Sequence, residues 1–191
     1  MNIKRYPVCY ATHRSIDGAL ALAAQHDLKS GDIEQIHVST GETQMLMLRN
    51  HRPQTGLEAK FSMHFAMASS IVARNVGLSE LTDAFVTRPE IQTLMSRVSC
   101  ETTTDTMADL SFAPFDAVVI RTSSGEKLES GPIERAKGSH EKPLSQDELW
   151  AKFSDCMERE LAAPIASRAF ERLMSLERLN SAAELVHLSD R

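Results

Sequence analysis

The sequence has little of several residue types, and each shortage argues against a class of protein. Its three cysteines, Cys9, Cys100 and Cys156, are odd in number and form no CxxC pair, which argues against a disulfide framework or a zinc site. With 21 basic and 26 acidic residues the formal net charge is −5, so no nucleic-acid-binding surface is expected. The longest apolar run, residues 19–24, is far shorter than the roughly 20 residues that span a bilayer, and no membrane association is expected.

The common catalytic and cofactor motifs are also missing. The sequence contains no G-x-G-x-x-G, no Walker loop, no G-x-S-x-G and no H-E-x-x-H. Its seven histidines are scattered, with no pair at metal-ligand spacing on one predicted face. No apolar segment follows residues 1–5, so no signal peptide is expected, and a cytoplasmic protein is predicted.

Apolar residues make up 42% of the sequence, which is enough to build a core. Helical periodicity follows Thr12, a plausible N-cap, and recurs over residues 57–75, with Leu57 and Phe61 on its inward stripe. Alternation predicts a strand at residues 35–40, and a run that is apolar on both faces predicts an inner strand at 115–121.

The C-terminal part of the sequence is predicted to be helical. Ser145 and Glu148 form a predicted capping box, and further helices are expected at residues 164–176 and 181–187. The predicted fold class is α+β, a small antiparallel sheet packed with helices. Residues 1–138 would form this domain and residues 139–191 a helical segment.

Three segments in register carry a family resemblance. Residues 4–13, KRYPVCYATH, with SIDGAL at 15–20, resemble the K-x-Y-P…T-H…D-A-A-L segment of the MmgE/PrpD family. LEAKFSMHF at 57–65 is similar to that family's L-E-A-K-F-S-x-x-Y/F. PLSQDELWAKF at 143–153 is similar to its P-L-S-x-x-E-L-x-x-K-F.

This resemblance implies a fold and a chemistry. Family members such as 2-methylcitrate dehydratase, cis-aconitate decarboxylase and iminodisuccinate epimerase act on small di- and tricarboxylates without a metal or organic cofactor. They combine a large helical domain with a smaller α+β lid, and dimers are common. The sequence is similar to the lid and the C-terminal helices only. The N-terminal helical domain, which holds part of the catalytic machinery, is therefore expected as a partner if the chain is not a homodimer.

Two residues of the first motif are predicted to be catalytic. Lys4 could hold a substrate carboxylate as a point charge, although a solvated terminal lysine is the reading that composition favours. The lysine of K-x-Y/F-P is implicated in the decarboxylase-type members. His13 could face the cleft and bind a carboxylate, or be a capping or surface residue.

Further residues are predicted to bind substrate. Cys9 stands where decarboxylase-like members have a histidine, which counts against that reaction, and it could equally be a small buried apolar residue. Thr12, three positions after Cys9, is also predicted to bind substrate. Lys60 and Ser62 lie in the first turns of the long predicted helix, a place attractive to anions. The alternative is that Lys60 pairs with Glu58 or a neighbouring acid and Ser62 only packs.

One residue departs from the second motif. His64 replaces the small residue or proline expected there, and a satisfied interior histidine is the expectation for it.

The leading hypothesis is therefore a lid with its C-terminal helices from an enzyme that removes a proton next to a carboxylate. Loss of water, as in 2-methylcitrate dehydratase, ranks first, epimerisation second and decarboxylation third. The alternative is a catalytically incomplete fragment that acts as a binding or dimerisation module.

Overall fold

The computed structural model describes residues 2–107, 111–157, 159–179, 181 and 183. Its contacts divide the chain into two compact units, Met1–Pro143 and Leu144–Arg191. The predicted boundary was Gly138. Two hydrogen bonds hold Gly138 within the first unit. Its amide donates to the carbonyl of Lys142 (2.8 Å), and its carbonyl accepts from the amide of Ile3 (2.8 Å).

The first unit contains a sheet of four strands in the order β2-β1-β3-β4. These are β1 (Ile33–Gly41), β2 (Val98–Thr103), β3 (Ala117–Thr122) and β4 (Lys127–Glu129). Its helices are α1 (His13–Gln25), α2 (Glu42–Met47), α3 (Gly56–Ala59), α4 (Met63–Val72), α5 (Asp83–Val86) and α6 (Pro89–Met95).

The α+β class is confirmed, with one correction to the sheet. It is mixed and not purely antiparallel, because β1 pairs with β2 in parallel, whereas β1–β3 and β3–β4 are antiparallel. Parallel neighbours need a long crossover connection, and the helices α2 to α6 supply it between β1 and β2. The predicted inner strand is confirmed, since β3 lies between β1 and β4.

One face of the sheet is covered by helices. α1 contacts β3 and α4 contacts β2, and the two helices contact each other. A register shift in β1 between Ile33 and Gln35 allows both Ile33 and Ile36 to be buried, although they are three positions apart.

The single long helix predicted at 57–75 is wrong. Two helices, α3 and α4, occupy this stretch, and Ser62 between them has an extended backbone (φ −132°, ψ 116°) and begins α4 as its N-cap. Because the helix is interrupted, Leu57 and Phe61 do not join the inward stripe and are 70% and 43% exposed.

The second unit contains α7 (Gln146–Met157) and α8 (Ala163–Leu173), which pack against each other. The predicted capping box is confirmed: the Glu148 amide donates to Ser145 Oγ (3.2 Å) and the Ser145 amide to Glu148 Oε2 (3.1 Å). The rings of Trp150, Phe153 and Phe170 lie 5.2–6.2 Å apart. The helix predicted at 181–187 lies outside the described residues, apart from 181 and 183.

Candidate active site

The segment that contains Lys4 and Cys9 is held in place by its own side chains and by α1. Tyr6 is buried and its hydroxyl donates to Asp17 Oδ1 at 2.7 Å. Lys4 is exposed, and its Nζ lies 3.4 Å from the carbonyl oxygen of Val8. Thr12 is buried, and its Oγ1 donates to the Cys9 carbonyl at 2.8 Å, so it begins α1 without capping it through its side chain. The lysine therefore stays at the surface of a fixed turn.

A backbone hydrogen bond joins this segment to the second motif. The Cys9 amide donates to the carbonyl oxygen of Lys60 at 2.9 Å. Lys60 is half-buried at the end of α3, and within the described residues no hydrogen bond or ion pair engages its Nζ. The fold thus brings the Cys9 and Lys60 backbones together from two motifs that are remote in sequence.

The other polar residues of the second motif have structural partners. Ser62 is buried, and its Oγ accepts from the Phe65 amide at 3.1 Å as the N-cap of α4. Glu58 does not pair with Lys60. Its Oε2 accepts from the Gln54 amide (2.7 Å) and the Thr55 amide (3.3 Å), which completes a capping box on α3. Lys60 is consequently a charged side chain of this motif without such a partner among the described residues.

His13 lies in the interior beside the same segment. It is fully buried, with its ring centroid 5.2 Å from that of Tyr6 and 4.9 Å from that of Tyr10. An acid–base role for His13 requires one of these tyrosines to move aside, since a catalytic base must come within hydrogen-bond reach of the proton it takes.

Sequence reasoning missed the contact between two histidines, His51 and His64. The rings of His51 and His64 meet edge to face with centroids 4.9 Å apart. Burial, and secondarily the nearby His51, lower the pKa of His64 to about 4. Its Nδ1 is buried and makes no hydrogen bond in the part of the chain that is described, so the expected satisfied interior histidine is not what the fold contains. The departure from the family motif at position 64 was the available signal.

A buried network around Asp116 was also missed. Arg14 Nη2 (2.8 Å) and Thr40 Oγ1 (2.9 Å) donate to Asp116 Oδ1, and Ser15 Oγ donates to Oδ2 (3.0 Å). Gln44 Nε2 donates to Oδ1 as well, at 3.0 Å. Burial raises the pKa of Asp116, and Arg14, Thr40 and Ser15 oppose that rise. Through these four donors the buried Asp116 carboxylate connects α1 with β1 and with the start of β3. In the sequence, the available signal was that Asp116 is a lone aspartate in an apolar run.

A groove of about 540 Å³ lies between α1 and residues 129–135. It is lined by none of the six predicted site residues. Its carboxylates outnumber its cations: Asp17, Glu129, Glu134 and Glu141 against Arg135 and Lys142. Such a lining repels a polycarboxylate, so the surface around Cys9 and Lys60 is the better candidate.

The chain also matches the model of a known protein family. The model of the MmgE/PrpD C-terminal domain matches residues 6–175, which include Cys9 and Lys60. The chain belongs to the MmgE/PrpD family. Lys4 lies just outside the matched residues, whereas Cys9, Thr12, His13 and Lys60 lie within them. A search of curated protein sequences found no match.

The described residues contain neither a metal-binding group of side chains nor a membrane-spanning helix. Among them, no group of three or more histidine, cysteine, aspartate or glutamate side chains is arranged to hold a metal ion. No helix in the described ranges has the length and apolar character needed to cross a membrane.

Proposed function

We propose that the chain is the carboxylate-binding lid of an MmgE/PrpD-type enzyme that acts on small di- or tricarboxylates. The observation that carries the proposal is the hydrogen bond from the Cys9 amide to the Lys60 carbonyl. It places a lysine without an ion-pair partner among the described residues beside the Lys4–Thr12 segment, at the meeting point of two family motifs. Lys60 binds one carboxylate of the substrate and Lys4 approaches from the neighbouring turn.

The reaction that fits such a site is removal of a proton from the carbon next to a bound carboxylate. The negative charge that develops on that carboxylate is enolate-like, and a cation held nearby stabilises it more than it stabilises the ground state. His13 accepts or donates the proton only after a tyrosine moves, and further acid–base groups come from the family's helical domain. A hydro-lyase like 2-methylcitrate dehydratase is our first choice of reaction and an epimerase like that of iminodisuccinate our second.

The experiment combines the full chain with an MmgE/PrpD helical domain and follows turnover of 2-methylcitrate and iminodisuccinate. Lys60→Ala should lower kcat/KM by about 10- to 100-fold, the effect of losing a hydrogen bond to a charged group. Lys29→Ala is the matched control, because Lys29 is exposed and its only ion-pair partner in the described part of the chain, Asp27, lies 4.0 Å away. No turnover of any tested acid by two folded components would refute the catalytic proposal.

A second candidate is a non-catalytic module that binds a helical partner or a second copy of the chain. Its support is the cluster of exposed apolar side chains at and after the end of α8, Leu173, Met174 and Leu176. Exposed apolar patches favour association. Light scattering with size-exclusion chromatography tests this candidate, which a monomer at all protein concentrations would contradict.

A further inference from the structure

Two tyrosine side chains lie against His13, and the structure holds them very differently. The His13 ring is fully buried, with the centroids of the Tyr6 and Tyr10 rings 5.2 and 4.9 Å away. A buried imidazole can exchange a proton with a substrate only when a side chain that covers it moves. Which of the two tyrosines is able to move therefore decides how His13 can act.

Tyr6 is fixed in the interior. It is 3% exposed, its hydroxyl donates to Asp17 Oδ1 at 2.7 Å, and the guanidinium of Arg5 lies over its ring at 5.3 Å. The other carboxylate oxygen of Asp17 accepts from the amide of Lys137 at 2.7 Å, so the group that holds Tyr6 is itself fixed. Moving Tyr6 would break a hydrogen bond to a charged group, which belongs to the stronger class of hydrogen bonds.

Tyr10 has no comparable anchor. Its side chain is half-buried, and its hydroxyl makes no hydrogen bond with any residue that the structure describes. This oxygen is also not one of the buried polar atoms without a partner in the described part of the chain, which means that solvent reaches it. The Tyr10 side chain thus extends from solvent to the His13 ring, and its rotation breaks no hydrogen bond.

The backbone on both sides of Tyr10 is held in place. The Cys9 amide donates to the Lys60 carbonyl at 2.9 Å, and the Cys9 carbonyl accepts from the amide (3.1 Å) and the hydroxyl (2.8 Å) of Thr12. The amide of His13 donates to the Tyr10 carbonyl. Movement at Tyr10 is therefore a change of side-chain rotamer and not a movement of the turn that carries it.

We propose that Tyr10 is the gate of His13: a change of its rotamer, with Tyr6 in place, opens the imidazole to a substrate. This inference rests on the proposed function, in which His13 transfers a proton at the carbon next to the bound carboxylate. Tyr10 is then a positioning residue, since it controls access to His13 and takes no proton itself. In the closed position it shields the imidazole from water until a substrate displaces the ring.

The test measures the reactivity of each histidine in the full chain toward diethyl pyrocarbonate, which acylates an accessible imidazole. Peptide mass spectrometry gives the individual rates, and exposed His26 serves as the internal reference. Tyr10→Ala should accelerate the modification of His13 relative to His26 about tenfold or more, since the rate follows the fraction of molecules in which the ring is open. Tyr10→Leu, which also lacks the ring, replaces this variant if the alanine variant does not fold. Tyr10→Phe should leave the rate unchanged, because the hydroxyl has no partner to lose.

Tyr6→Phe is the matched control, because it removes the anchoring hydroxyl of the other tyrosine and keeps the ring. It should leave His13 as protected as in the natural chain. Faster modification of His13 in Tyr6→Phe but not in Tyr10→Ala would assign the gate to Tyr6 and overturn the proposal. An equal acceleration at His64 in Tyr10→Ala would mean that the substitution loosens the whole unit, and this result would overturn it too.

The gate and the proposed function can fail separately. A folded Tyr10→Ala chain in which His13 stays protected overturns the gate, whatever the turnover of the assembled enzyme. If His13→Gln keeps full turnover with the MmgE/PrpD helical domain while Tyr10→Ala uncovers His13, the proton transfer by His13 is refuted and the gate stands.

Discussion

Arg14 Nη2 and Asp116 Oδ1 lie 2.8 Å apart in the interior, where the two side chains are 7% and 0% exposed. Arg14 also donates through Nη1 to the carbonyl oxygens of Ala113 (2.9 Å) and Pro114 (3.3 Å). The pair thereby ties the first turn of α1 to the chain that enters β3. Because α1 begins directly after the Lys4–Thr12 segment, the ion pair also fixes the position of the candidate site.

Arg14→Met should lower the free energy of unfolding by about 3–5 kcal/mol, because it leaves the Asp116 charge buried without its counter-ion. Asp116→Leu should be similarly costly, and the double variant should cost less than the sum of the two. Urea unfolding measures all three. Lys29→Ala, which removes an exposed pair, should change stability by no more than about 1 kcal/mol. If the two changes in unfolding free energy simply added up in the double variant, Arg14 and Asp116 would not be energetically coupled.

Gly56→Ala should destabilise the first unit by about 1–3 kcal/mol, the usual cost of overpacking. A Cβ on Gly56 would lie 2.0 Å from the carbonyl oxygen of Leu81, and backbone at this contact cannot rotate away. Gly31→Ala is the control, because a Cβ there has no neighbour within 4 Å. Thermal unfolding should separate the two variants clearly. Equal melting temperatures would show that α3 and Leu81 are not in close contact.

The unfolding free energy should fall as the pH is lowered from about 6.5 towards 4, in part through His64. The pKa of His64 is about 4 in the fold and near 6.5 in the unfolded chain. Between these values the unfolded state binds the additional proton, so acid favours unfolding. The contribution is at most roughly 1.4 kcal/mol per pH unit, and less here because the ring is partly exposed. His64→Gln should flatten this slope in urea titrations at several pH values.

Ser145→Ala should weaken the start of α7 by about 1 kcal/mol, the typical loss on removing an N-cap side chain. Amide hydrogen exchange should accelerate about fivefold at Glu148, whose N–H donates to Ser145 Oγ. Ser154→Ala serves for comparison, since among the described residues that hydroxyl bonds only to the Ala151 carbonyl within α7. Unchanged exchange at Glu148 would mean that the capping box does not form in solution.

Local signals in the sequence predicted local structure well. The Ser145–Glu148 capping box involves residues three apart, so no packing information was needed to expect it. The helix of 57–75 failed for the opposite reason. Its apolar periodicity continued through residue 62, but Ser62 caps a new helix and α3 is held separately by Asp83, whose carboxylate accepts from the Gly56 amide at 2.8 Å.

The candidate site, too, could be predicted from the sequence only in part. Lys60 and Cys9 could be proposed from their motifs, yet that they meet depends on a hydrogen bond between remote segments. The burial of His13 between Tyr6 and Tyr10 could not be read from a histidine that follows a threonine at a helix start. The His51–His64 contact arises because the loop before α3 returns to α4, which no periodicity encodes.

By itself, the sequence determined the α+β class, the membership of the MmgE/PrpD family and the ends of several helices, since these follow from residue order over short distances. Tertiary structure alone decided the parallel pairing of β1 with β2, the burial of Asp116 against a partner 102 positions away, and the contact of His51 with His64. The physical reason is that hydrophobic burial selects which distant segments meet, and only after they meet do charges and hydrogen bonds acquire the partners that define a site.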